Sequence, residues 1–167
     1  MIKPPPFRIY LMRHARATSP AAGARDFDRT LDDLGYAEAE LAADRAADRG
    51  YAPDCLISST AVRCRQTAEI VRKAMRETLE IQFVDELYNG TPETYATIIG
   101  GQNAFGSVML VGHNPTIDQT LETLIGSEKR RVALPGGYPT GAIAVLDHAP
   151  GRADADGDWA LVDFITG

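Results

Sequence analysis

Arg13 and His14 stand side by side at the end of an apolar stretch that covers residues 9–12. A neutral imidazole beside a permanently charged guanidinium can bind an anion, or it can attack phosphorus while the guanidinium neutralises the oxygens. The apolar stretch predicts a strand buried on both faces, and parallel sheets bind ligands at the carboxyl ends of their strands. The pair would equally fit a strand that ends in two solvated polar residues, so the rest of the chain has to decide.

The same arrangement, polar residues directly after a predicted strand, occurs twice more. Ser59 follows one strand, and the helix after it carries Arg63 in its first turn. His113 and Asn114 follow another strand. The carboxyl ends of parallel strands meet at one edge of a sheet, so two arginines, two histidines and two helix N-termini should converge there. Such a site suits a tetrahedral dianion and predicts phosphoryl transfer through a histidine.

Each of these residues also has a purely structural interpretation. Arg63 could be a solvated residue of a helix that carries several other basic residues. Ser58 and Ser59 are good helix caps and need no further role. His113 could be a histidine satisfied by loop carbonyls. The joint pattern is much harder to explain by accident than any single member.

Strand and helix patterns alternate along the chain. Strands are predicted at residues 7–12, 55–57, 81–84, 107–111, 142–146 and 159–165, the last two as a hairpin around a polar turn. The alternation predicts an α/β fold, a three-layer sandwich with a mostly parallel sheet and helices on both faces. At 167 residues the chain fits a single domain over residues 1–167.

Helix signals lie between the strands. One helix is predicted from an Asp32 cap to Gly50, with Leu34, Ala37, Leu41 and Ala42 as its apolar positions. The next ends near Met75, a third begins with Thr91 as cap, and a fourth has Asn114 as cap and Pro115 as its first residue. Residues 126–141 are predicted as a long loop.

Composition excludes several classes of function. The formal net charge of −6 argues against a general role on nucleic acid or anionic membranes, although it does not exclude a small basic pocket. The N-terminal residues lack the apolar run of a signal peptide, and no stretch is long enough for a transmembrane helix. Cys55 and Cys64 are predicted to be reduced thiols, without metal-like spacing. We therefore expect a cytoplasmic protein.

Three segments together resemble the signatures of the histidine phosphatase superfamily, in family order and spacing. They are Arg13-His14-Ala15, the run Ser58-Ser59-Thr60-Ala61-Val62-Arg63-Cys64-Arg65-Gln66-Thr67, and Gly112-His113-Asn114-Pro115. Within this superfamily the chain is similar to the small SixA-type phosphohistidine phosphatases, and the resemblance covers about residues 7–165. It implies a phosphoglycerate-mutase-like fold and a single histidine phosphatase domain.

The resemblance also implies a role for each matching residue. His14 would be the nucleophile that becomes phosphorylated, and Arg13, Arg63 and His113 would hold the phosphoryl oxygens with Asn114 beside them. Water would then hydrolyse the phosphohistidine. No metal and no cofactor would be required.

The general acid is the least defined member of the site. Glu86 stands roughly where larger relatives place their proton donor, although it could equally be an ordinary loop carboxylate. An alkoxide leaving group needs an acid to protonate it, whereas an imidazole needs one much less. The chain also has Ala15 and Ala17 where mutase-type relatives carry glycine and serine. The alanines argue against a phosphoglycerate mutase or a sugar bisphosphatase, and the undefined acid favours phosphohistidine or another labile phosphoramidate as substrate.

The substrate class we expect is therefore phosphohistidine on a signalling or phosphotransfer protein. Two alternatives stay open, a phosphatase of the same mechanism that acts on small phosphomonoesters and a phospho-ligand binding module without turnover. Asp26, Asp28 and Arg16 follow the nucleophile and could contact substrate or partner, or be surface charges.

Overall fold

The computed structural model describes residues 2–150 and 158–167 of the chain. The strands are β1 Arg8–Arg13, β2 Cys55–Ser59, β3 Ile81–Val84, β4 Ser107–Gly112, β5 Ile143–His148 and β6 Trp159–Ile165. The α-helices are α1 Asp33–Asp48, α2 Val62–Met75, α3 Pro92–Gly100, α4 Thr116–Ile125 and α5 Ser127–Ala133. Two single 3₁₀ turns lie at Asp26–Asp28 and Asp85–Leu87.

The strands form one mixed sheet in the order β3-β2-β4-β1-β5-β6. The first four strands are parallel to one another, and β5 pairs antiparallel with both β1 and β6. The strand predicted to end in Arg13 and His14 is β1. It lies between β4 and β5 in the sheet and is fully buried over residues 9–12. The mostly parallel sheet is thereby confirmed.

Both faces of the sheet are covered by helices. Ile9 and Leu11 belong to a core with residues of α3 and α4, whereas Tyr10 and Met12 belong to a second core with residues of α1 and α2. Successive side chains of a strand point to opposite faces, so an uninterrupted apolar run is what a strand buried on both faces requires. The predicted three-layer α/β sandwich is confirmed.

The apolar face predicted for α1 is wrong at three of its four positions, since only Ala42 is buried. Leu34 is 62% exposed and Leu41 is 43% exposed. The helix instead buries its small residues, which are Gly35, Ala39, Ala42, Ala43 and Ala46. The backbones approach very closely here, since a Cβ on Gly35 would lie 1.9 Å from the carbonyl oxygen of Arg16. Only small side chains fit that interface, so the larger leucines face outward.

Two further boundaries differ from the prediction. Residues 126–141 contain the helix α5, which buries no side chain and therefore shows no apolar period. It is held to α4 by a bidentate ion pair, in which Arg130 Nε donates to Asp118 Oδ1 over 2.8 Å. The helix α4 begins at Thr116 with Pro115 in the cap position, not Asn114.

The remaining sequence expectations concern caps, thiols and the last turn. The Asp32 and Thr91 side chains cap α1 and α3, as predicted. Cys55 and Cys64 are buried free thiols. The polar turn predicted between β5 and β6 falls largely on residues 151–157, which lie outside the described residues.

No helix in the described ranges is long and apolar enough to cross a membrane. The cytoplasmic location stays a prediction.

Candidate active site

The sheet order brings the three polar segments together. The strand β4 lies between β1 and β2, and the register sets Arg13 opposite Gly112 and Ser58 opposite Val111. The residues that follow these strands meet at the same edge. A pocket of about 440 Å³ there contains the five residues predicted to act on phosphate, Arg13, His14, Arg63, His113 and Asn114. Its other lining residues are Arg16, Ala17, Asp26, Arg29, Tyr88, Asn89 and Thr140.

The pocket is strongly cationic although the chain as a whole is acidic. Within the described part of the chain, four arginines line it and a single carboxylate, that of Asp26, faces them. Arg63 is only 6% exposed, so its charge is little screened by water. This arrangement suits a small, multiply charged anion.

The ring of His14 has one nitrogen committed to the backbone. Its Nδ1 lies 2.8 Å from the carbonyl oxygen of Ala15. A carbonyl oxygen can only accept, so Nδ1 carries the proton and Nε2 keeps a free lone pair. Burial lowers the pKa of His14 to about 4, with the positive charges of Arg63 and Arg13 acting in the same direction. The side chain is therefore a neutral imidazole at physiological pH.

The titration of His14 provides a direct test of this environment. We expect its Cε1–H resonance to titrate with a midpoint near pH 4, because burial disfavours the charged ring and protonation would add a positive charge beside Arg63 and Arg13. The pKa is lowered by folding, so the unfolded chain binds more protons below pH 6.5. The contribution of His14 to stability is then present above that pH and is lost as the pH falls towards 4. A midpoint at or above 6.5, assigned by comparison with His14→Ala, would contradict this account.

His113 packs on the other side of the pocket and is 7% exposed. Its Nδ1 lies 3.3 Å from Arg63 Nη2, and its Nε2 lies 2.8 Å from Ser59 Oγ. Its backbone N–H donates to the Tyr95 hydroxyl over 3.1 Å, which anchors the turn after β4. Burial lowers the pKa of His113 to about 3, with the charge of Arg63 adding to the effect. This ring too is neutral.

The two guanidiniums of Arg13 and Arg63 are held at their far ends. Arg13 Nη1 donates to the carbonyl oxygen of Tyr138 over 2.7 Å, and Arg63 Nη1 donates to the carbonyl oxygen of Asp26 over 2.9 Å. The Nε–H groups of both arginines are buried without a hydrogen-bond partner in the part of the chain that the structure describes. Buried donors normally find an acceptor, and these two unpaired donors belong to arginines that line the pocket.

Glu86 lies outside the cationic pocket. It stands in the 3₁₀ turn after β3 and lines an adjoining cleft of about 570 Å³ together with Phe27, Thr60 and Asp85. Tyr88 and Asn89 line both cavities. The structure therefore brings Glu86 beside the cationic pocket but not into it.

Of the three loop residues named from the sequence, Asp26 and Arg16 line the pocket and Asp28 does not, whereas the pocket residues Arg29 and Tyr88 were not predicted. The Asp26 carboxylate accepts hydrogen bonds from Tyr88 Oη over 2.7 Å and Arg29 Nη1 over 3.0 Å, and it forms an ion pair with Arg63. The bonds from Tyr88 and then Arg29 hold the pKa of Asp26 well below its ordinary value. The available signal for Arg29 was its position as a basic residue on the loop after His14. Tyr88 lies in an irregular loop with no such signal.

Comparison with known proteins gives the same picture as the geometry. Residues 9–91 match the model of the histidine phosphatase superfamily, branch 1. The chain belongs to the histidine phosphatase superfamily. It is accordingly a phosphatase, a hydrolase of phosphoryl compounds.

Two similar proteins match over nearly the whole chain, and a third matches over a smaller part. The structure of the candidate phosphohistidine phosphatase SixA from Agrobacterium tumefaciens is 50% identical, with a TM-score of 0.87 over 95% of this chain and 97% of that one. An uncharacterised protein of Mycobacterium tuberculosis is 32% identical over 160 residues, 92% of this chain and 98% of its own length. An uncharacterised chloroplast protein of Arabidopsis thaliana is 27% identical over 130 residues. These residues make up 72% of this chain and 60% of the length of that relative. This histidine phosphatase is thus SixA-like.

Proposed function

We propose that this single-domain histidine phosphatase, residues 1–167, dephosphorylates phosphohistidine on a signalling or phosphotransfer protein through a phosphohistidine formed on His14. The observation that carries the proposal is the free Nε2 of a neutral His14 inside a pocket lined by four arginines. A nucleophile needs its lone pair, and the phosphoryl group needs compensating charge. The free Nε2 of His14 and the four arginines meet these two requirements in the same pocket.

The reaction has two displacement steps. His14 Nε2 attacks phosphorus while the bond from phosphorus to the leaving nitrogen breaks, and that nitrogen keeps the electron pair. Arg13, Arg63 and His113 hold the three phosphoryl oxygens, with Asn114 beside them, and stabilise the loose transition state. Water then displaces His14 and releases inorganic phosphate. The arginines supply the positive charge, so we propose that no metal takes part; activity should survive treatment with a chelator.

The adjoining cleft supports a nitrogen-linked leaving group. Among the residues that the structure describes, its wall includes Asp85 and Glu86 and no lysine or arginine. Its aromatic residues Phe27 and Tyr88 pack edge to face with ring centroids 5.1 Å apart. A second phosphate would be repelled by these carboxylates, whereas an imidazole ring would be tolerated and could pack on the aromatic side chains. The 50% identity to a candidate phosphohistidine phosphatase points the same way.

A substrate panel tests the proposal. We expect kcat/KM on a phosphohistidine-carrying phosphotransfer domain to exceed that on sugar bisphosphates and nucleoside diphosphates by about tenfold, because their second phosphate would meet the Asp85 and Glu86 carboxylates. Higher activity on a small phosphomonoester would favour the phosphomonoesterase alternative. Binding of orthovanadate without turnover of any substrate would favour the binding module.

Glu86 is proposed to protonate the leaving group where the substrate needs an acid. Glu86→Gln should lower kcat by about 10²-fold on an alkyl phosphate, the usual contribution of general acid catalysis, and should change kcat little on phosphohistidine protein. Asp85→Asn is the matched control, because it removes the neighbouring carboxylate of the same 3₁₀ turn. A large loss of kcat on both substrates would contradict the proposal that the alkyl phosphate needs Glu86 as an acid and phosphohistidine does not.

A further inference from the structure

The strand β2 ends in two buried serines that face different partners. Ser59 Oγ lies 2.8 Å from His113 Nε2 and accepts a weaker bond from the N–H of Ala61 over 3.3 Å. Ser58 Oγ donates to the carbonyl oxygen of Ser59 over 2.9 Å. Both residues are fully buried. The chain therefore carries two adjacent hydroxyls of equal burial, and the His113 ring is the partner of Ser59.

The hydrogen bonds of His113 define where its proton lies. Arg63 Nη2 can only donate, so the Nδ1 atom that it contacts over 3.3 Å must accept. A neutral imidazole has a single N–H, which is then on Nε2 and points to Ser59 Oγ. In this arrangement Ser59 is the acceptor.

A bound phosphoryl group demands the opposite arrangement. His113 Nδ1 faces the arginine side of the pocket, so it is the ring atom available to a phosphoryl oxygen. To donate to that oxygen it must carry the proton, and Nε2 must then accept. Ser59 can supply that hydrogen bond by rotating its hydroxyl, because a hydroxyl both donates and accepts. The Cys64 thiol, whose Sγ lies 3.5 Å from Nε2, is a much weaker partner.

We propose that Ser59 is a positioning residue that allows His113 to change tautomer, accepting from Nε2–H in the empty pocket and donating to Nε2 when a tetrahedral oxyanion is bound. The ring keeps one proton throughout, and only its location changes. The inference rests on the proposed function, since it takes His113 to be a ligand of the phosphoryl oxygens. It adds a residue whose effect on the reaction is exerted through His113.

The experiment combines ¹⁵N NMR of the histidine side chains with steady-state kinetics, using orthovanadate as the probe. In the wild type we expect the protonated nitrogen of His113 to change from Nε2 to Nδ1 on saturation with orthovanadate. Ser59→Ala should lower kcat and weaken orthovanadate binding about tenfold each, because a buried ring nitrogen loses its partner. Ser59→Thr keeps a hydroxyl and should restore much of the loss. His113→Gln identifies the resonances.

Ser58→Ala is the matched control. It removes an equally buried hydroxyl from the same strand end, so a general loss of stability would affect both alanine variants alike. Equal kinetic losses in the two variants, or a His113 that stays protonated on Nε2 in the presence of orthovanadate, would overturn the inference. The NMR result does not depend on turnover, so a wild type that fails to hydrolyse phosphohistidine would contradict the proposed function separately.

Discussion

His14→Ala is expected to lower kcat/KM by at least about 10⁴-fold, the scale seen when a covalent nucleophile is removed. The arginines and His113 remain in the variant, so the pocket should still bind oxyanions. Water would have to attack the substrate directly, without the neutral Nε2 that the hydrogen bond to Ala15 leaves free. Orthovanadate binding within about tenfold of the wild type would show that the loss lies in the chemical step.

The control for this variant is His148→Ala. His148 is a strand residue of β5 whose ring packs on Trp159 with centroids 5.2 Å apart, and it does not line the cationic pocket. Its removal should leave kcat/KM within about twofold of the wild-type value, as expected for a residue remote from the reacting groups. Should His14→Ala retain more than a few per cent of the wild-type rate, His14 cannot be the nucleophile.

Arg63→Ala is expected to lower kcat by about 10²- to 10³-fold, the range found when one preorganised donor to a developing oxyanion is removed. The effect should be large because Arg63 is nearly inaccessible to water, which strengthens its field in the pocket. The variant also leaves the Asp26 carboxylate without its ion pair to Arg63, beside the site where a phosphoryl group would bind. KM should therefore rise together with the fall in kcat.

Arg65→Ala provides the matched control on the same helix. Arg65 is exposed, and its guanidinium lies 4.8 Å from the centroid of the Phe83 ring, on a surface apart from the pocket. Steady-state kinetics of the two variants, with thermal unfolding to verify that both fold, separates the role of Arg63 from that of positive charge on α2. Similar losses of kcat in the two variants would show that Arg63 acts through the general positive charge of α2 and not through a specific contact with the phosphoryl group.

The parts of this protein that follow a strict periodicity or a short motif were predictable. A strand buried on both faces must be apolar without interruption, so β1 and β4 were predicted with the polar residues that follow them. The convergence of Arg13, Arg63 and His113 then followed from parallel pairing alone. The resemblance to histidine phosphatases assigned expected roles to these same positions.

The parts that depend on long-range contacts were not predictable. The outward orientation of Leu34 follows from a backbone contact of Gly35, and α5 is held by an ion pair to α4. The same holds within the site. Asp26 and Tyr88 come from two loops far apart in the sequence, and their pairing depends on how those loops fold over α2.

The most direct test of the central claim is to trap the phosphoryl group on the protein. Wild type and His14→Ala would be mixed rapidly with a ³²P-labelled phosphohistidine phosphotransfer domain and quenched in alkali, where phosphohistidine survives. Peptide mapping would then locate the label. The account predicts a transient label on Nε2 of His14 in the wild type and none on the variant. Release of labelled phosphate at the wild-type rate without any labelled His14 would contradict it.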